Sequence, residues 1–280
     1  MKKSFCLFIA AMLVIALSSY NAATAQTPDT LWTRSFLLDN GQMMRSLIFT
    51  QDSKNLYVGC WGTNKIYYLN AQTGAILKEI LNVNVYAMKL FNNDNYLAST
   101  NGLDNNLFIW DTRTWQEINN YKLPNKDGTA GFDVSNDNKI IALGTYSSGL
   151  LKYDIQNNRI VDSLKFTVYD ETLHTNVAPT IGNVSYSTDN KYLTINTSTG
   201  HVKGVYIVDP SAWTIKEQIT GFDNINKVQF IPNSYNLLIL CPNDIYIYDF
   251  LNKQILKHIN NSSIKNNFDV GFSSDLNYLI

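Results

Sequence analysis

The stretch LIFTQDSKNLYVGC, residues 47–60, contains the pattern that determines the fold. An apolar residue, Phe49, is followed by two small or polar residues, then by Asp52, a turn and a second apolar run. The same phrase begins again at five later positions: Phe91, Val134, Tyr186, Phe230 and Phe272. The intervals between successive copies are 42, 43, 52, 44 and 42 residues. A period near 42 residues is typical of a four-stranded blade, and the amphipathic helices of helical repeats are missing from the sequence.

A second phrase lies between the copies of the first and has the same period. In it an apolar strand ends on a residue that is followed by Asp or Asn, at Leu69-Asn70, Trp110-Asp111, Tyr153-Asp154, Val208-Asp209 and Tyr248-Asp249. Both phrases are stretched in the interval before the fourth copy. The sequence therefore predicts an insertion there, in the segment Lys165–Gly182.

The first unit divides into four predicted strands, A to D, which are separated by turn-forming residues. They are Leu47–Thr50, Leu56–Cys60, Lys65–Leu69 and Ile76–Ile80. Asp52 in the A–B turn is expected to accept hydrogen bonds from backbone amides two residues on. Strands that are apolar on both faces, such as Leu107–Trp110, indicate blades packed between neighbouring blades.

We therefore predict an all-β fold, a β-propeller of four-stranded blades. The pattern gives about five complete blades and a sixth that stops at Ile280, and we expect seven blades in a full protein. A β-sandwich is the alternative, but it requires no repeated phrase. Thr30–Phe36 has the character of an outer strand and is the candidate to close the ring by joining the last blade.

The repeat resembles the WD40 and YVTN family of β-propeller proteins. In that family a strand similar to V-x-F-S-x-D leads into each blade, and a W-D pair ends the third strand. Trp110-Asp111 is the one literal W-D pair in this chain, and Gly200-His201 lies in a B–C loop rather than at the family's Gly-His position. The resemblance extends from about Asp29 to the end of the chain and implies a bacterial exported propeller.

Residues 1–25 have the pattern of a signal peptide, and residues 26–280 are assigned to the propeller. Lys2 and Lys3 precede the apolar run Phe5–Leu17, and Ala23-Thr24-Ala25 is a small-x-small cleavage site. A membrane anchor is the alternative, although the run is shorter than a bilayer core requires. We expect an exported protein, periplasmic or extracellular, with no membrane span after cleavage.

Only Cys60 and Cys241 remain after that cleavage. Each lies eleven residues after the start of its repeat, Phe49 or Phe230, so the two occupy equivalent positions in non-adjacent blades. Such positions are too far apart for a disulfide. We predict two free, buried thiols.

The D–A and B–C loops are expected to share one face at the mouth of the central channel, where propellers commonly bind ligands. The inserted segment adds Tyr169, Asp170, Glu171 and His174 to that face, although an insertion can also be a tolerated excursion of the surface. The complete set of candidate ligand-binding residues is Trp61, Asp104, Tyr146, Tyr169, Asp170, Glu171, His174, His201, Lys203 and Asn243.

Two functions remain open from the sequence. The first is a non-catalytic binding or scaffolding propeller for a protein or carbohydrate partner, which we expect to be a monomer. The second is a propeller enzyme resembling a lactonase, using His174, His201, Asp170 and Glu171, or less readily a quinone-dependent dehydrogenase. No local motif for a metal, acyl transfer or phosphate occurs, so no catalytic residue, metal or cofactor is predicted. The formal net charge of -1 and a pI near 6.3 argue against nucleic acid as a partner.

Overall fold

A computed structural model describes residues 43–101, 105–124, 128–170, 172–199, 202–222 and 224–260. These residues form β-strands and no α-helix. The strands make five antiparallel sheets of four strands each and one separate two-stranded hairpin. The predicted all-β propeller with five complete blades is confirmed. The signal peptide, the candidate closing strand Thr30–Phe36 and the sixth copy at Phe272 lie outside the described residues.

The strands follow the order A, B, C, D in every blade, and each sheet keeps that order in space. Blade 1 contains β1 (Met43–Phe49), β2 (Asn55–Trp61), β3 (Lys65–Asn70) and β4 (Ile76–Leu81). Blade 2 contains β5 (Ala87–Phe91), β6 (Tyr96–Thr100), β7 (Asn106–Asp111) and β8 (Gln116–Lys122). Blade 3 contains β9 (Thr129–Val134), β10 (Ile140–Thr145), β11 (Leu150–Asp154) and β12 (Arg159–Leu164).

A short hairpin, β13 (Val168–Asp170) and β14 (Thr175–Val177), precedes blade 4. Blade 4 contains β15 (Ile181–Tyr186), β16 (Leu193–Thr199), β17 (Val202–Asp209) and β18 (Thr214–Ile219). Blade 5 contains β19 (Lys227–Phe230), β20 (Asn236–Leu240), β21 (Asp244–Asp249) and β22 (Gln254–Asn260).

The blades are arranged around an axis that is lined by their first strands. Strand β1 packs against β5, β5 against β9, β9 against β15 and β15 against β19. The fourth strands lie outermost and are largely exposed, whereas the second strands are almost entirely buried. This gradient explains why the sequence alternates less in the B strands than in the D strands.

The hydrophobic core consists of separate clusters at the blade junctions. Between blades 2 and 3, Leu107, Phe132 and Tyr153 are among the residues buried together. Backbones approach closely between blades 3 and 4, where a Cβ atom added at Gly131 would lie 2.3 Å from the carbonyl oxygen of Gly182. Only glycine therefore fits at residue 131 without moving the inner strand of blade 4.

The second sequence phrase builds the C–D turn of every blade. Its Asp or Asn side chain accepts backbone N–H groups two or three residues on, as Asp111 Oδ1 does from Arg113 (2.8 Å) and Thr114 (3.1 Å). The residue four positions after the Asp or Asn always has a positive φ, at Gly74, Trp115, Asn158, Trp213 and Lys253. The C–D register also shifts at the apolar residue of the phrase in all five blades. The phrase therefore encodes a turn followed by a bulged outer hairpin.

The first sequence phrase builds the A–B turn, as predicted, in blades 1, 3 and 4. Asp137 Oδ1, for example, accepts the hydroxyl of Ser135 (2.6 Å) and the backbone N–H of Lys139 (3.2 Å). Equivalent bonds form at Asp52 and Asp189.

Blade 2 departs from this prediction because its A–B turn is shorter. Four residues (92–95) separate β5 from β6, whereas five (50–54) separate β1 from β2. The three residues Asn92, Asn93 and Asp94 all have positive φ, and the Asp94 carboxylate accepts the backbone N–H of Gln51 in blade 1. Asp94 therefore does not close its own turn, unlike Asp52, Asp137 and Asp189.

The prediction for the two cysteines is confirmed, since Cys60 and Cys241 are both buried and free. Burial raises the pKa of the Cys60 thiol to about 11. The thiol is therefore protonated at neutral pH and is a poor nucleophile.

Candidate binding face

The D–A and B–C loops meet on one side of the propeller, which we call the loop face. The backbone N–H of Gly62 donates to Asn84 Oδ1 (2.7 Å), and that of Val83 donates to the Asn64 carbonyl (3.1 Å). A similar bond joins Leu123 N–H to the Asn105 carbonyl (2.7 Å) in the next blade. The opposite side carries the A–B and C–D turns, and we call it the turn face.

The inserted segment forms the hairpin β13–β14 on the loop face rather than an irregular loop. Phe166 packs on Tyr206 of blade 4, with 5.2 Å between ring centroids, and Val168 joins the same cluster. The tip projects into solvent, where Tyr169 is 53 % and Leu173 is 63 % exposed. The hairpin therefore combines a packed base with two exposed apolar side chains.

Two of the candidate residues shape this hairpin. Asp170 is only 3 % exposed, and its Oδ1 accepts the backbone N–H groups of Thr172 (2.8 Å) and Leu173 (3.0 Å). His174 is exposed and has a φ of 51° in the turn. The carboxylate of Asp170 is therefore engaged in closing the hairpin, which leaves it poorly placed to act on a ligand.

Tyr146 belongs to an aromatic cluster at the inner edge of the loop face. Its ring meets that of Tyr86 at 85° with 6.4 Å between centroids. The guanidinium carbon of Arg45 lies 4.7 Å from the centroid of the Tyr86 ring. Thr180, which follows the hairpin, donates its hydroxyl to the carbonyl of Tyr146 (3.0 Å). The cluster thus joins blades 1, 2 and 3 to the inserted segment.

The remaining described candidates are more dispersed. Lys203 lies in β17, and its Nζ donates to Asn224 Oδ1, which ties the start of a C strand to a D–A loop. Trp61 is half-buried at the end of β2, and Asn243 lies in the turn between Cys241 and Asp244. Asp104, Glu171 and His201 lie outside the described residues.

Arg45 and Tyr86 were missed in the sequence because neither lies in a loop with a ligand-like composition. Arg45 is in β1, and Tyr86 directly precedes β5. Both residues lie at the loop-face end of an A strand. They lie four and five residues before the phrase residues Phe49 and Phe91, so they do not share one repeat position that a comparison of the copies could have found.

Several buried polar atoms at the loop end of blades 2 and 3 have no hydrogen-bond partner in the structure. They include the hydroxyls of Thr100 and Thr129 and the side-chain carbonyls of Asn105 and Asn106. Thr100 accepts the N–H of Tyr86 through its backbone, so one of these hydroxyls lies directly behind the aromatic cluster. Unpaired buried polar groups cost stability and concentrate at functional sites.

Two other groups of polar side chains are engaged with their neighbours. His258 is exposed in the outer strand β22, pairs with Asp244 (2.7 Å) and stacks on Tyr246 (4.4 Å between centroids). The His258 and Asn260 side chains lower the pKa of Asp244.

An open cleft of about 440 Å³ on the turn face is lined in part by Asp52, and the Thr50 hydroxyl lowers the pKa of that carboxyl group. Across the described ranges, no three His, Cys, Asp or Glu side chains come together in a way that could hold a metal ion.

No protein-family model and no curated protein matches the chain. In fold, 1546 chains of solved structures match it. One of them, Kuenenia stuttgartiensis hydrazine synthase, aligns with a TM-score of 0.66 and 16 % identity over 84 % of this chain and 72 % of that chain. At this identity the likeness concerns the fold alone. The structural match supports the propeller fold. The resemblance to the WD40 and YVTN family is not confirmed by a family model.

Among the described residues, none lies in a helix long and apolar enough to cross a membrane.

Proposed function

We propose that this chain is an exported, non-catalytic binding propeller that engages a protein or glycan partner through its loop face. The observation that carries the proposal is the β13–β14 hairpin, which is anchored by Phe166 and presents Tyr169 and Leu173 to solvent. Exposed aromatic and aliphatic side chains cost solubility, and a fixed group of them is typical of an interaction site. Export is supported by the signal-peptide pattern of residues 1–25.

The proposal is tested with the double variant Tyr169→Ala/Leu173→Ala, which removes the exposed tip and leaves the base intact. Immobilised wild-type chain is incubated with solubilised envelope proteins and, separately, with a glycan array. We expect a specific partner that the double variant retains at least about tenfold less well, as for hot-spot residues.

The matched control is Leu251→Ala, because Leu251 is also exposed but follows β21 in a C–D turn. Equal binding by the wild type and the double variant would refute the role of the hairpin. Cell fractionation checks export, and retention of the mature chain in the cytoplasm would refute that part of the proposal.

A further inference from the structure

The inner wall of the propeller carries an excess of positive charge. Among the described residues, the five inner strands hold three cationic side chains, Arg45, Lys89 and Lys227, and one carboxylate, Asp133, which pairs with Lys89 (2.8 Å). The chain as a whole has a formal charge of -1, so this excess is local. A channel lined by one sign of charge attracts ligands of the opposite sign.

Of these three cations, Arg45 is the one that stacks on an aromatic ring, that of Tyr86, and it has no acidic partner among the described residues. It is exposed in β1, and none of the carboxylates in the described residues forms an ion pair with it. Arg113, by contrast, binds Asp111 at 2.7 Å on the turn face. A guanidinium held over a ring keeps its N–H donors available, and these donors match a carboxylate in two parallel bonds.

The ring beneath Arg45 is itself fixed by the backbone. The N–H of Tyr86 donates to the Thr100 carbonyl (2.7 Å), and the N–H of Tyr146 donates to the Gly128 carbonyl (3.0 Å). The two rings then contact each other at right angles. Positions fixed in this way reduce the entropy that is lost when a ligand binds.

We infer that Arg45, Tyr86 and Tyr146 form a binding site for a carboxylate of an acidic peptide segment. The inference rests on the proposed function, since it names the chemistry that a partner would present to the loop face. A peptide is favoured over an acidic sugar because Arg45 covers one face of the Tyr86 ring, and Tyr146 contacts the same ring. The Tyr86 ring is therefore engaged by two neighbours and offers less surface for stacking a sugar ring, whereas a carboxylate needs only the guanidinium.

The test measures binding of a fluorescent oligoglutamate peptide by anisotropy, with an oligoglutamine peptide of equal length and an oligogalacturonate as comparisons. We expect the wild type to bind oligoglutamate in preference to both. Arg45→Gln should weaken that binding about 10- to 100-fold, the range for a charge-assisted hydrogen bond. Arg45→Lys should retain part of it, because the charge remains and the paired donors are lost.

Arg113→Gln is the matched control, because it removes the same charge from the turn face. The inference is overturned if oligoglutamine binds equally well, if oligogalacturonate binds instead, or if Arg113→Gln weakens binding as much as Arg45→Gln does. Unchanged thermal unfolding of Arg45→Gln shows that a loss of binding is local. If Arg45→Gln still binds an envelope partner that the Tyr169→Ala/Leu173→Ala variant loses, the inference fails while the proposed function stands.

Discussion

The turn face and the loop face use the same kinds of polar residue for different purposes. On the turn face, carboxylates and amides accept backbone N–H groups within their own turn or from the next blade, as Asp137 and Asp94 do. On the loop face, the hydroxyls of Thr100 and Thr129 are buried without a partner among the described residues, and no described carboxylate pairs with Arg45. The two faces thus resemble each other in polar composition and differ in how far their polar groups are hydrogen-bonded.

The largest expected effect tests whether the blades depend on satisfied carboxylates near the turn face. Asp133 is buried, accepts the N–H of Tyr186 in blade 4 (2.8 Å) and pairs with Lys89 of blade 2. Asp133→Ala leaves the Tyr186 N–H without its acceptor and the Lys89 ammonium without its carboxylate, although the lysine is partly solvated. We expect a loss of about 2–4 kcal/mol in the free energy of unfolding, measured by urea denaturation.

Asp162→Ala serves as the control, because Asp162 lies in the outer strand β12 and accepts only the neighbouring Ser163 N–H. It should change stability by less than about 0.5 kcal/mol. Equal stability of Asp133→Ala and the control would mean that the blades do not depend on this linkage.

A smaller effect concerns acid stability, which the turn face should dominate. The Arg113 side chain lowers the pKa of Asp111, and the Asn157 backbone N–H lowers that of Asp154. Because these folded pKa values lie below the ordinary value of 3.8, the stabilisation is complete above pH 3.8 and is lost as the pH falls through the folded values. The Tm should therefore fall steeply on acidification below that pH.

The variant Asp111→Asn isolates one of these groups. Its Tm should lie below that of the wild type at neutral pH, and the difference should shrink as the pH falls below 3.8. A difference that stays constant across this range would show that the Asp111 carboxylate does not contribute through its ionised form.

The smallest expected effect is on the loop face. Tyr169→Ala and Leu173→Ala remove side chains that are more than half exposed, so the free energy of unfolding should change by less than about 0.5 kcal/mol. Thermal unfolding followed by circular dichroism checks this. A loss comparable to that of Asp133→Ala would mean that the hairpin tip supports the fold, which would remove the contrast between the two faces.

The fold was predictable because each blade repeats the same local chemistry. Phe49 and its equivalents fix where the A strand ends, and Leu69 and its equivalents fix the C–D turn, so both the strand order and the burial of Cys60 follow from periodicity. Blade 2 was the exception, since a turn that is one residue shorter changes the partner of Asp94 without altering the phrase.

The candidate site was predictable only in part. The sequence located the insertion and the face, but the structure shows Asp170 closing the hairpin rather than facing outward. It also adds Arg45 and Tyr86, which approach Tyr146 from two other blades. Contacts of this kind depend on how blades are oriented around the axis, and no local pattern encodes that orientation.

The short A–B turn of blade 2 also bears on how such units can be recombined. In blades 1, 3 and 4 the Asp of the phrase closes its own turn. The Asn that follows it in blades 3 and 4, Asn138 or Asn190, also accepts a backbone N–H of the preceding blade. Asp94 instead serves the main chain of the preceding unit. Blades 2, 3 and 4 therefore each supply an acceptor to the blade before them, so a cut in front of any of these three would orphan one backbone amide, that of Gln51, Asn92 or Asn136.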